Sequence, residues 1–190
     1  MAFRREKDNT EITLEKELRK VFLSHLVGIF IVFVVFFFFF LSLWTIKYVN
    51  TVMGYLMLMV YVLTLASAGN KCAVWDKRSY ALTKPHPLKG LLLALSIVVS
   101  NMVFYGIWQF AWTLDSKALN VAGQLVFVAW SLPYNSFLQL VGAEMGLLGK
   151  ILMIVVPFVS VGAGYFAGYC NWDISEKLDK IVFEKKNNQL

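Results

Sequence analysis

From Val21 to Ile46 the chain runs 26 residues without an Asp, Glu, Lys or Arg, and this stretch restricts what the rest can fold into. A helix rises about 1.5 Å per residue, so about 20 apolar residues cross a hydrocarbon layer about 30 Å thick. The run is therefore read as a membrane span before any globular core is considered. Three more stretches qualify: about Tyr48 to Ala68, Gly90 to Trp112, and about Ile151 to Tyr169. Each must be helical, because a lone apolar strand would leave backbone groups unpaired in lipid. The first two spans meet around Lys47–Asn50 with almost no linker, which predicts a tight antiparallel hairpin. Composition agrees. The hydrophobic share is 58% and the charged share 16%, against about 45–50% and about 25% in soluble domains. A soluble enzyme, a disulfide-rich secreted module and a disordered tail are excluded.

Net charge is +6. The cations flank apolar runs and form no aromatic-interleaved groove, so acidic lipid headgroups are the expected partner and nucleic acid is not. Their distribution sets the threading. Residues 1–20 carry six Lys/Arg, the inner loop 69–89 carries Lys71, Lys77, Arg78, Lys84 and Lys89, and residues 170–190 carry four. Opposite them stand Lys47, Lys117 and Lys150. Fifteen against three is a strong positive-inside bias, and it predicts a multi-pass protein of the cytoplasmic membrane with both termini inside. Trp44, Trp108, Trp112 and Trp130 are expected near the outer boundary, Trp75 and Trp172 near the inner one. The N-terminus does not read as a signal peptide, since its first twenty residues carry eleven charges.

The predicted organisation has three parts: an amphipathic cytoplasmic segment 1–20, a four-helix transmembrane domain 21–169, and an amphipathic cytoplasmic tail 170–190. Leu14, Leu18, Val21, Phe22 and His25 recur at helical spacing, with Asp8 and Glu11 as a capping pair, which starts the first helix near Asn9 or Thr10. In the tail, Ile174, Leu178, Ile181 and Val182 line one face. The outer segment 113–150 is ambiguous. A fifth span through Leu125–Val141 would bury Ser131, Pro133, Asn135 and Gln139 and send the lysine-rich tail outside. Two short helices broken at Pro133 and lying at the outer interface fit the charges better.

Few residues suggest chemistry. The inner loop holds five cations against Asp76, which is read as a local partner of Lys77 and Arg78. Lys71, Trp75, Lys77, Arg78, Lys84 and Lys89 form either a docking surface for acidic lipid or protein, or a topology signal alone, which is the simpler reading. His25, one turn inside the boundary, is expected to donate to a carbonyl or reach the headgroups. Glu144 is expected at the outer interface. His25, His86, Cys72 and Cys170 match no zinc spacing, so no metal or cofactor is expected. No nucleophile elbow or phosphate loop is present, and no catalytic residue is expected. Ala163, Gly164, Ala167 and Gly168 place small residues four apart on the last span, a pattern that lets helices approach closely, here within one chain. Pro157 predicts a kink there.

The run Gly164-Tyr165-Phe166-Ala167-Gly168-Tyr169, followed by Ile174-Ser175-Glu176-Lys177-Leu178 and a lysine tail, resembles the end of small four-pass membrane proteins of Gram-positive bacteria. The triplet Asp76-Lys77-Arg78, the pair Lys89-Gly90 and the turn Pro133-Tyr134-Asn135 are similar to features of the same proteins. The resemblance implies the four-span topology and carries no activity or functional residue. Together these features predict an all-α polytopic membrane protein with short interfacial helices. It is expected to be non-catalytic, an accessory or interaction subunit that meets acidic lipid, a protein partner or a second copy through its basic loop. The alternative is a small transporter or channel acting as an oligomer.

Overall fold

The computed structural model describes residues 13–43, 47–77, 84–114, 116–134, 138 and 147–170. Helix α1 spans Leu14–Leu43, α2 Lys47–Asp76, α3 Lys89–Trp112, α4 Lys117–Trp130 and α5 Leu147–Tyr169. No strand occurs among the described residues. Four of these helices are long and apolar enough to cross a membrane, and α4, with 14 residues, is not among them. The expected start of α1 at Asn9 or Thr10 and its capping pair lie outside the described residues, as do Trp44, Arg78, Glu144, Trp172 and the tail 171–190.

One boundary differs from expectation. α2 runs two turns beyond Ala68 to Asp76, through the first part of the supposed inner loop. The reason is packing. Gly69 faces the α5 backbone so closely that a Cβ there would lie 2.4 Å from the Val161 carbonyl, and Asn70, Cys72 and Ala73 are buried beside it. Polar residues continue a helix when a neighbouring helix covers them. At its far end, Pro85 and Pro87 keep the connection irregular until the Lys89 N–H bonds the His86 carbonyl, where α3 begins.

α2 and α5 make the most extensive contact, with α1 against α2 and α3 against α5 on either side. The α2–α5 seam is built of small residues. A Cβ on Gly164 would stand 2.0 Å from the Ala66 carbonyl, and one on Gly168 2.7 Å from the Asn70 carbonyl. Ala163 is exposed and Ala167 half-buried, so only the glycines of that pattern face α2.

α4 folds back along α3. Gly123 meets Ala111, Phe127 stacks on Trp108 and Trp130 on Phe104, so rising numbers on α4 meet falling numbers on α3. The descent ends beside Asn101, at the middle of α3, where Trp130 and Tyr134 both bond to it. Ser131, Leu132, Pro133 and Tyr134 are all buried. The expectation of a break at Pro133 resting at an outer interface therefore does not describe this stretch: the chain turns at Ser131, residues 132–134 are helical and buried, and Trp130 sits at mid-helix level rather than at a boundary. The hydrogen bonds available at Asn101 and Tyr61 draw the chain inward.

Candidate functional site

Two groups of polar side chains stand inside the helices, one at mid-length and one at the end where α1 and α3 begin and α2 and α5 finish. The mid-length group starts from His25. Its Nδ1 lies 2.7 Å from the Tyr61 hydroxyl, which lies 2.7 Å from the Tyr134 hydroxyl. Asn101 Nδ2 donates to Tyr134 at 3.3 Å and to the Met153 carbonyl at 2.8 Å, while Asn101 Oδ1 accepts from Trp130 Nε1 at 2.9 Å. His25, Tyr61, Asn101 and Tyr134 are all fully buried.

The Met153 carbonyl explains why Asn101 is there. Pro157, four residues on, has no N–H to return to it, so the α5 ladder is broken at that point. An unmade backbone bond is costly in an apolar interior, and the Asn101 amide replaces it. His25 neither caps a carbonyl nor reaches the boundary, contrary to expectation, because the Tyr61 hydroxyl is within reach one helix away. His25 Nε2 and Ser131 Oγ have no hydrogen-bond partner among the described residues.

The end group centres on Lys89, the first residue of α3. Its Nζ lies 2.6 Å from Glu17 Oε2 and donates to Asp76 Oδ1 and Oδ2 at 2.6 and 2.7 Å. The Tyr165 hydroxyl donates to Asp76 Oδ2 at 2.5 Å. The cluster thus ties the ends of α1, α2, α3 and α5 together. Gly90 permits it: a Cβ there would stand 2.6 Å from Tyr165 Cβ. Nearby, Lys77 Nζ donates to the carbonyls of Gly168 and Tyr169 at 2.6 and 2.7 Å, covering backbone acceptors that the end of α5 leaves open.

These bonds redistribute the basic loop. Asp76 does not pair locally with Lys77 but with Lys89, thirteen residues on. Lys89 and Lys77 serve the chain itself, and Trp75 lies under Lys20, whose Nζ is 2.9 Å from the ring centroid. Lys71 and Lys84 are exposed. Lys71 and Lys20 line a groove of about 510 Å³ between α1 and α2, and a second groove of about 480 Å³ adjoins it beside Lys16 and Arg19.

The sequence does not single out Glu17, Tyr61 or Asn101, and Tyr134 and Tyr165 enter it only within the runs that carry the resemblance. Glu17 had a signal: with Val21, His25, Gly28 and Val32 it occupies one buried stripe of α1, at spacings of three and four. Asn101, a lone amide in the apolar run of α3, was legible in the same way. The tyrosines carried none, since Tyr in a span reads as ordinary apolar bulk. Comparison with family models, curated proteins and solved structures finds no match.

Proposed function

We propose that the chain is a non-catalytic protein of the cytoplasmic membrane, with both termini inside, acting as an accessory or interaction subunit whose cation-rich end faces acidic lipid headgroups. The observation that carries this reading is the division of polar groups. Most of those at mid-length are occupied with one another and with the Met153 carbonyl that Pro157 strands, while His25 Nε2 and Ser131 Oγ stand without a hydrogen-bond partner among the described residues. Those at the cation-rich end include exposed Lys16, Arg19, Lys71 and Lys84, with two grooves opening among them. The fifteen-to-three bias supports placing that end in the cytoplasm.

Photocrosslinking in native membranes tests the reading. A photoreactive residue at Lys84 or Lys71 is expected to capture lipid or protein specifically, and one at Leu119, at the opposite end, is not. Adducts from Leu119 alone would overturn it.

A second reading, a small transporter or channel acting as an oligomer, draws on α4. This half-length helix ends among buried polar groups at the level of His25 and Asn101, an arrangement that serves ion sites in transporters. Its test is ion flux in proteoliposomes, compared between the unaltered protein and His25→Ala. Flux that depends on His25 would favour it over the first.

A further inference from the structure

The two grooves share Lys20, Ser24 and Val27 of α1, and the larger is completed by α2. Its composition changes with depth. At the mouth stand the cations Lys20 and Lys71. One turn inward come the hydroxyl residues Ser24 and Ser67, followed by Thr64. Deeper still, the walls are Val27, Val60 and Leu63. At 1.5 Å per residue, Lys20 to Val27 covers about 10 Å and Lys71 to Val60 about 16 Å. That depth matches half of a hydrocarbon layer about 30 Å thick. Among the described residues no Asp or Glu lines either groove, and the adjoining one adds Lys16 and Arg19 at the same level.

From this order of cation, hydroxyl and apolar wall, we infer that the α1–α2 groove binds a phospholipid with an anionic headgroup. The phosphate lies between Lys20 and Lys71, the glycerol and ester oxygens meet the Ser24 and Ser67 hydroxyls, and one acyl chain follows Val27, Val60 and Leu63. Lys20 is held in place over Trp75, so this cation is positioned before the lipid arrives. The inference rests on the reading of the cation-rich end given above, and it adds a defined site to what would otherwise be a diffuse surface attraction.

The test is binding of phosphatidylglycerol and phosphatidylcholine to the purified full chain in detergent, read by native mass spectrometry at low and high salt. The unaltered protein should prefer phosphatidylglycerol at least about tenfold. Lys71→Gln, at an exposed position, should lower that binding about fivefold, and Lys20→Gln with Lys71→Gln about 30-fold. The paired variant Lys117→Gln and Lys150→Gln removes the same charge at the other end and should bind within about twofold of the unaltered protein. Ser67→Trp and Leu63→Trp fill the groove at exposed positions while keeping every charge, and each should abolish the preference. A thermal unfolding midpoint close to that of the unaltered protein qualifies each variant. If both tryptophan variants bind normally while the lysine variants do not, the lipid is held by surface charge, and the groove inference fails with the broader reading intact. No preference for phosphatidylglycerol in the unaltered protein would overturn both.

Discussion

Asn101 and Pro157 lie on different helices, yet one compensates for the other, because the amide donates to the carbonyl that the proline leaves without its N–H. Asn101→Leu should lower stability by about 1–2 kcal/mol, in the upper range for hydrogen bonds between membrane helices. In a Pro157→Ala background the Met153 carbonyl regains its own helical donor, so the same substitution should cost less. A double-mutant cycle by thermal unfolding measures the coupling, and equal losses in both backgrounds would separate the two residues. Lys89 offers a second contrast. Its removal as Lys89→Met leaves the buried carboxylates of Glu17 and Asp76 facing each other, which should cost about 3–5 kcal/mol. Glu17→Gln leaves one lysine against one aspartate, still hydrogen-bonded by Tyr165, and should cost clearly less in the same assay.

Helix packing distinguishes glycines that composition treats alike. Gly164 has the Ala66 carbonyl where a Cβ would go, so Gly164→Ala must push α2 and α5 apart, at about 1–3 kcal/mol. Gly106, on α3, has nothing within 4 Å of that position. There Gly106→Ala should be neutral or stabilising, by up to about 1 kcal/mol from helix propensity. The unfolding midpoint should therefore fall for Gly164→Ala and hold or rise for Gly106→Ala, and a similar loss in both would contradict the packing described for α2 and α5. Bulky residues follow the reverse logic. Val32 is buried, but Phe30 and Phe38 are about two-thirds exposed, with Phe33 and Phe37 also exposed, so these rings of α1 turn outward, as on a lipid-facing helix, while Phe36 packs against the core.

The whole molecule has two unlike ends. One holds Lys16, Arg19, Lys20, Lys71, Lys77, Lys84 and Lys89, and the other holds Lys47, Lys117 and Lys150 among the described residues. Under the proposed orientation, a membrane-impermeant maleimide applied to intact cells should label Lys117→Cys and spare Lys84→Cys. The reverse pattern would invert the topology. The native thiols give an internal check in detergent, where exposed Cys170 should react readily and buried Cys72 only after unfolding. Under the proposed orientation both should stay reduced in cells, since a cytoplasmic setting does not sustain disulfides.

The number and places of the long helices were legible in the sequence, because a helix that satisfies its own backbone needs only an apolar run of sufficient length. The cation bias was legible for the same reason, as a sum over residues that needs no partner. Which cation does what was not. Lys71, Lys77 and Lys89 look alike along the chain, yet Lys89 closes a buried ion cluster, Lys77 covers the end of α5 and Lys71 lines a groove. Nor did local pattern show that α4 descends to Asn101, or that α2 continues past Ala68. Those outcomes depend on side chains from distant segments meeting, and a hydrogen bond or close approach between them has no signature in either segment alone. Tertiary structure decided them, because in an apolar interior each polar group takes the partner that packing brings within reach.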